Sequence, residues 1–144
     1  MIELHSGDIH LAPSLHAALE KLLRLYSIPD TAERIVLNGR QTAYYSHRQG
    51  LHPIEVQFKR ESPSKAWQVV CMTSFSYPEE SSILVEPELY FHLLNRWCYQ
   101  PNAGAADLSH PEVLELLMVW MNALARHLSR NVFDELELSV VRQF

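Results

Sequence analysis

A segment near the C-terminal end of the sequence is apolar around most of a helical circumference, and it constrains the fold more than any other feature. Ser109 and Glu112 have the spacing of a capping box, with Pro111 in the first turn, so we expect a helix from Ser109 to Ser129. Its apolar residues cover roughly 260° of arc, whereas a surface helix needs roughly 100° or somewhat more. Such a helix lies between two layers, or part of its surface contacts another protein.

Two segments in the middle of the chain have the periodicity of strands. From Ile54 to Arg60 apolar and polar residues alternate, which predicts one buried face and one wet face. The segment from Trp67 to Phe75 is apolar on parts of both faces and is expected to lie centrally in a sheet. Strict alternation places Trp67, Val69, Cys71 and Phe75 on one face, and Val70 and Met72 on the other. The two strands form a hairpin around a turn at residues 62–64.

The remaining elements complete an α+β pattern. Helical spacing predicts a first helix that opens at Pro13 and Ser14 and runs to about Tyr26. A short strand, residues 35–37, is expected before a turn at Asn38 and Gly39, and a last strand follows Asn131. We predict an antiparallel β-sheet packed on one face by the N-terminal helix and the long helix near the C-terminus, ending in a strand. The expected strand residues of the core are Ile54, Val56, Phe58, Val69, Cys71, Leu136, Leu138 and Val140. Residues 88–94 fit a strand or a helix by periodicity alone.

Composition narrows the class of protein. The 144 residues are 47% hydrophobic and 20% charged, which is typical of a single globular domain spanning residues 1–144. A formal net charge of -5 argues against nucleic acid as a partner. The start of the sequence is not a secretory signal, and no stretch approaches the ~20 apolar residues that span a bilayer. We expect a cytoplasmic protein, with no membrane partner, whose thiols stay reduced.

No motif in the chain carries recognisable catalytic or cofactor chemistry. None of the eight histidines forms an H-x-x-x-H or H-E-x-x-H pair, although His47 and His52 flank a turn. With four glycines the chain cannot assemble a phosphate-binding glycine loop. Cys71 is expected to be a buried, inert thiol, and a packing role is favoured for Cys98. The sequence therefore predicts no catalytic residue, no cofactor and no metal.

The placement of the aromatic residues is the one feature of the sequence that stands out as a candidate binding signal. They fall in or beside the predicted loops and strand ends, where they either cover the rim of the core or form a binding surface. The candidate interaction surface consists of these residues with two histidines and two helix methionines: Tyr44, Tyr45, His47, His52, Tyr77, Trp97, Tyr99, Met118 and Met121.

Four stretches of the chain form a recognisable pattern: DTAERIVL at residues 30–37, QGLHPIEVQF at 49–58, WQVVCMTSFSY at 67–77 and VFDELELSV at 132–140. In this order they resemble a bacterial family catalogued as domain of unknown function 2787. The resemblance covers nearly the whole chain from Leu15 onward. It implies a small α+β fold, favours a strand at residues 88–94, and provides no catalytic residues. Members of that family often lie in genomic islands and mobile elements.

Two functional hypotheses follow. The first is a non-catalytic binding or assembly module that acts through protein contacts and is accessory to a genomic island or mobile element. Its partner is another protein or a second copy in a homodimer, with contacts from the long helix and the aromatic segment around Trp97 and Tyr99. The alternative is an enzyme of unrecognised type that uses His47, His52 or Cys98 in a cleft.

Overall fold

The chain forms a seven-stranded antiparallel sheet and a separate two-stranded hairpin, as seen in a computed structural model that describes residues 1–144. The elements in chain order are β1 His5–Ser6, β2 Ile9–His10, α1 Pro13–Leu23, β3 Ala32–Arg40, α2 Thr42–His47, β4 Ile54–Lys59, β5 Gln68–Ser76, β6 Glu86–His92, β7 Trp97–Gln100, β8 Gly104–Asp107, α3 Pro111–Ser129 and β9 Glu135–Gln143. The strand order is β8-β7-β6-β5-β4-β3-β9. Strands β3 to β8 are consecutive neighbours, and α3 returns the chain to the far edge. The α+β prediction is confirmed, and β5 is the central strand.

Helices α1 and α3 lie on the same face of the sheet, which we call the covered face. Leu15, Leu19 and Leu23 of α1 and Leu117 and Met121 of α3 belong to one buried cluster. That cluster also holds the inward residues of the strands: Ile35, Leu37, Ile54, Val56, Phe58, Val69, Met72, Leu89 and Phe91. Because both helices bury their apolar sides on this face, the opposite face has neither helix over it. We call the opposite face the open face.

A β-bulge in the central strand changes which face each residue occupies. Gln57 pairs with Cys71 and Phe58 pairs with Val69, so Val70 has no partner on β4. The extra residue puts Val69 and Met72 on the covered face and Cys71 on the open face. The prediction that Cys71 shares a face with Val69 is therefore wrong, although Cys71 is buried.

The first long strand is longer than expected and contains no turn. β3 runs through Gly39, which pairs with Ile54 on one side and Leu136 on the other. A Cβ atom on Gly39 would lie 3.1 Å from Cδ1 of Ile54. A side chain at this position would crowd those of Ile54 and Leu136. The predicted turn at Asn38 and Gly39 is wrong, because both residues lie within β3. Residues 88–92 lie in strand β6, in agreement with the strand that the family resemblance favoured for residues 88–94.

Three other expectations change at element ends and edges. α1 ends at Leu23 and not near Tyr26, whose hydroxyl donates to the carbonyl of Leu136. His110 caps α3, since its Nδ1 accepts from the amide of Glu112, so Ser109 is not the cap. Val140 is not a core residue: it is 41% exposed because β9 is an edge strand.

Helix α3 lies on one layer and is not sandwiched. Leu117, Met121, Leu124 and Ala125 are buried against the sheet and α1. Val113, Leu116, Trp120 and Leu128 are partly buried against the same core. The outer part of the apolar arc is in contact with solvent, where Leu114, Met118 and Val119 are 37%, 41% and 61% exposed. None of the three helices combines the length and the apolar character that a membrane span requires.

Candidate functional site

A cavity of about 440 Å³ opens on the covered face, where β4 begins and β5 ends. Its walls come from the sheet, from the second half of α3 and from two loops: Ile54, Ser74, Leu89, Trp120, Ala123, Leu124, His127, Gly50, Leu51 and Phe133. His52, Glu88 and Gln100 complete its lining. We call it the apolar pocket. Its volume lies in the range of roughly 300–1,000 Å³ that is common for ligand sites.

The polar side of this pocket is a hydrogen-bonded histidine and glutamate. His52 Nδ1 lies 2.7 Å from Oε2 of Glu88. The imidazole also packs against Tyr44, with ring centroids 4.8 Å apart, and Tyr44 stacks on Tyr77 at 5.7 Å. The hydroxyl of Tyr44 accepts a hydrogen bond from the Tyr77 amide. These contacts make the aromatic residues of α2 and of the β5 end a rigid wall beside His52.

Arg48 fixes the loop that follows β5. Its backbone takes the left-handed conformation, with φ of 55°, at the end of α2. The guanidinium carbon lies 3.9 Å from the centre of the Tyr77 ring. The same group donates to the carbonyl oxygens of Glu79, Glu80 and Ser82. Next to these bonds the loop exposes Ile83 and Leu84, which are 87% and 74% accessible to solvent.

A second depression, of about 410 Å³, adjoins the apolar pocket. Glu88 and Gln100 line both cavities, so the two lie side by side along the strand ends. The rest of its lining is polar or proline-rich: Ser76, Tyr77, Pro78, Glu86, Pro87, Pro101 and Asn102. Its only charged side chains are the carboxylates of Glu86 and Glu88. We call it the acidic trough, and the two cavities together the strand-end cleft.

Gln41 braces the rim of the apolar pocket. Its Oε1 accepts from the amide of Leu51 at 2.9 Å, and its Nε2 donates to the carbonyl of Val132 at 2.8 Å. One half-buried side chain thus joins the loop at residues 50–52 to the segment that carries Phe133. Gly50 has φ of 100°, and a Cβ there would lie 2.7 Å from Oε1 of Gln41. Sequence reasoning missed Gln41, because its two partners become neighbours only in the folded chain.

The pocket contains side chains of the types that enzymes use for catalysis, but the hydrogen bonds between them do not form a catalytic triad. Ser74, His52 and Glu88 all line it, but His52 is hydrogen-bonded to Glu88 and not to Ser74. Burial, together with the charges of Arg126 and Arg130, lowers the pKa of His127 on the opposite wall. No group of three or more histidine, cysteine, aspartate or glutamate side chains is placed to hold a metal ion.

The structure divides the predicted interaction residues among the strand-end cleft, the open face, the outer side of α3 and the core. Tyr44, His52 and Tyr77 meet beside the strand-end cleft, and Tyr45 and His47 are exposed on α2 next to them. Trp97 and Tyr99 point to the open face. Met118 is exposed on α3, whereas Met121 is in the core.

This division contradicts two sequence hypotheses. Trp97 and Tyr99 cannot form one contact surface with α3, because the helix and the open face are on opposite sides of the sheet. Of the three residues assigned to an enzymatic cleft, only His52 lines one. His47 is outside it, and Cys98 is buried in the core.

The sequence from residue 13 to residue 139 matches the family model described as Protein of unknown function (DUF2787). The chain belongs to DUF2787. No curated protein matches this DUF2787 chain significantly.

Two solved structures share the fold. One is the hypothetical protein VC0508 from the VSP-II pathogenicity island of Vibrio cholerae, with a TM-score of 0.83 and 20% identity over 96% of this chain and 99% of that one. The other is the conserved hypothetical protein VC1805 from pathogenicity island VPI-2 of Vibrio cholerae O1 biovar eltor, described as sharing structural homology with the human P32 protein. It has a TM-score of 0.74 and 21% identity over 90% of this chain and 94% of that one. The DUF2787 fold is therefore that of these island proteins.

Proposed function

We propose that this DUF2787 protein is a non-catalytic binding module that holds a segment of a partner protein in the strand-end cleft. One observation carries the proposal: an apolar pocket lies next to a trough whose charges are carboxylates, and Glu88 lines both. A segment that fits has a large apolar side chain followed closely by lysine or arginine.

The apolar end supplies most of the binding free energy in this proposal. Leu89, Trp120, Leu124 and Phe133 give the pocket walls that exclude water from an inserted side chain. Burying one leucine- or phenylalanine-sized side chain contributes roughly 1.5–3 kcal/mol. The wall is preformed, since Leu89, Leu124 and Phe133 are themselves buried, so the segment does not have to open the site.

The acidic end supplies selectivity. Glu88 uses Oε2 for His52, which leaves Oε1 available to an incoming donor. Glu86 is exposed on the same strand and adds a second carboxylate to the trough. A cation here meets opposite charge in a partly enclosed site, whereas an acidic segment is repelled. Complementary charge of this kind sets partner choice and association rate more than affinity.

The genetic and cellular context that we propose rests on the two structural neighbours and on the cysteines. Both structural neighbours come from pathogenicity islands, which supports an accessory role in a genomic island or mobile element. Two free, buried cysteines support a role in the reducing cytoplasm.

A second candidate, hydrolysis by a serine nucleophile, rests on Ser74, His52 and Glu88 lining one pocket. It requires His52 to turn its free Nε2 towards Ser74. An active-site fluorophosphonate probe tests it. Labelling that is lost in Ser74→Ala would support hydrolysis, and an unlabelled native protein would exclude an activated serine.

Selection from a displayed library of random ten-residue peptides tests the binding proposal. We expect enrichment of a large apolar residue within about three positions of lysine or arginine. Ala123→Trp should fill the pocket and weaken binding of the selected peptide at least tenfold. Ala17→Trp, at an exposed position of α1, is the matched control and should bind normally. A library without enrichment, or equal binding by Ala123→Trp and the native chain, would refute the proposal.

A further inference from the structure

The open face of the sheet carries aromatic residues where an uncovered sheet normally carries polar ones. Cross-strand pairing places Tyr90, Tyr99, His92 and Trp97 there, on β6 and β7. The rings of Tyr90 and Trp97 stack with centroids 5.0 Å apart, and those of His92 and Trp97 at 5.5 Å. Beneath them Cys71 and Thr73 are only 1% exposed. The result is a flat aromatic surface, accessible to solvent on its outer side.

Charged side chains border this surface in two rows that run across the strands. The acidic row contains Glu137 and Glu55, joined by pairing through Asn38, and it continues to Thr73, Tyr90 and Tyr99. The basic row contains Arg142, Arg34 and Lys59, which are consecutive cross-strand partners. The Nε of Arg142 also lies 3.1 Å from Oε2 of Glu33 in the same chain. Between them runs a middle row of Ser139, Val36, Gln57, Cys71, His92 and Trp97. Adjacent rows are two residues apart, or about 7 Å.

From this pattern we infer that the open face binds the same face of a second copy of this chain. A two-fold axis along the middle row turns one copy over and leaves each strand above its own counterpart. The acidic row of one copy then lies over the basic row of the other: Glu55 faces Lys59 and Glu137 faces Arg142. The stacked aromatic residues meet at one end of the axis. Sheets that pack with strands nearly aligned, about 10 Å apart, have this geometry.

Charge complementarity selects a second copy as the occupant. Each copy presents both signs, and the two-fold axis places Glu55 opposite Lys59 and Glu137 opposite Arg142. Asp107, which extends the middle row onto the edge strand β8, lies opposite its own counterpart at the exposed end of the axis. A uniformly charged partner would be repelled by one of the two rows. A second exposed apolar surface, Leu114, Met118 and Val119 on α3, serves as the control. The strand-end cleft plays no part in this contact, so the inference is independent of the proposed function.

Sedimentation velocity between about 1 and 100 µM tests the inference with charge-reversed variants. The native chain should form a concentration-dependent dimer that weakens in high salt. Lys59→Glu places two acidic residues opposite each other, and Glu55→Lys places two basic ones, so each variant alone should dimerise at least tenfold more weakly. An equimolar mixture of the two should form a heterodimer, because each like-charge contact then becomes an opposite-charge contact.

Val119→Glu on α3 should leave dimerisation unchanged. Recovery in the mixture excludes misfolding as the cause of either loss. A native chain that is monomeric at 100 µM would overturn the inference. A dimer that persists in Lys59→Glu and is lost in Val119→Glu would assign the interface to α3 and would equally overturn it.

Discussion

Replacing Gln41 by alanine should destabilise the protein and disorganise the apolar pocket at the same time. The substitution removes two hydrogen bonds, to the Leu51 amide and the Val132 carbonyl. A typical intramolecular hydrogen bond contributes about 1 kcal/mol net, so the expected loss is about 2 kcal/mol. For a domain of this size that corresponds to a fall in Tm of about 6 °C.

A conservative variant tests whether both bonds matter. In Gln41→Glu the carboxylate can accept from Leu51 but cannot donate to Val132, and it places a negative charge beside that carbonyl. At pH 7 this variant should therefore be destabilised as much as Gln41→Ala. Gln143→Ala, at an exposed glutamine at the end of β9, is the control and should unfold like the native chain.

Urea denaturation followed by circular dichroism measures both effects. The denaturation midpoint should fall in Gln41→Ala and Gln41→Glu with an unchanged slope. Peptide binding should weaken in both variants at temperatures where they are fully folded. Surface substitutions usually change the free energy of unfolding by less than about 0.5 kcal/mol. If the free energies of unfolding of Gln41→Ala and Gln143→Ala differ by less than that, the role of Gln41 as a brace is refuted.

Three further predictions concern pH, packing and thiol reactivity. Burial lowers the pKa of His92 and His127 below their ordinary 6.5, with nearby arginines adding to the shift. As the pH falls, these histidines are protonated in the unfolded chain before they are protonated in the folded one, so the free energy of unfolding should fall below about pH 6.5. The fall should be smaller in a variant in which both histidines are replaced by glutamine. Gly39→Ala should destabilise by about 1–3 kcal/mol through overpacking, measured by thermal unfolding, and a neutral effect would contradict the contact described for its strand. Burial raises the pKa of the Cys71 and Cys98 thiols, so a disulfide reagent should label neither in the native protein at pH 8 and both in urea; rapid native labelling would contradict their burial.

Sequence periodicity predicts the elements whose packing is regular. Strand β4 alternates without interruption, and both helices place their buried leucines on one side, so their type could be inferred. In β5 the bulge at Val70 breaks the alternation. Nothing local distinguishes a bulged from a regular strand when the residues on both sides are apolar. The face of Cys71 therefore depends on its pairing with β4, which is a tertiary property.

The candidate site is even less visible in the sequence. His52 attracts attention as a histidine beside a turn, but its partner Glu88 is 36 residues away. Gln41 and Val132 are separated by 91 residues. Contacts over such distances have no periodic signal. The aromatic residues could be identified as unusual, whereas their division between the cleft and the open face required the strand register.

The most direct test of the account is an NMR titration of the ¹⁵N-labelled protein with the selected peptide, following the indole N–H signals of the tryptophans. Trp120 lines the apolar pocket, and Trp97 is on the open face. Peptide binding in the strand-end cleft predicts that the Trp120 signal shifts with added peptide, while the Trp97 signal stays in place. A shift of Trp97 without one of Trp120 would place the peptide on the open face and contradict the account.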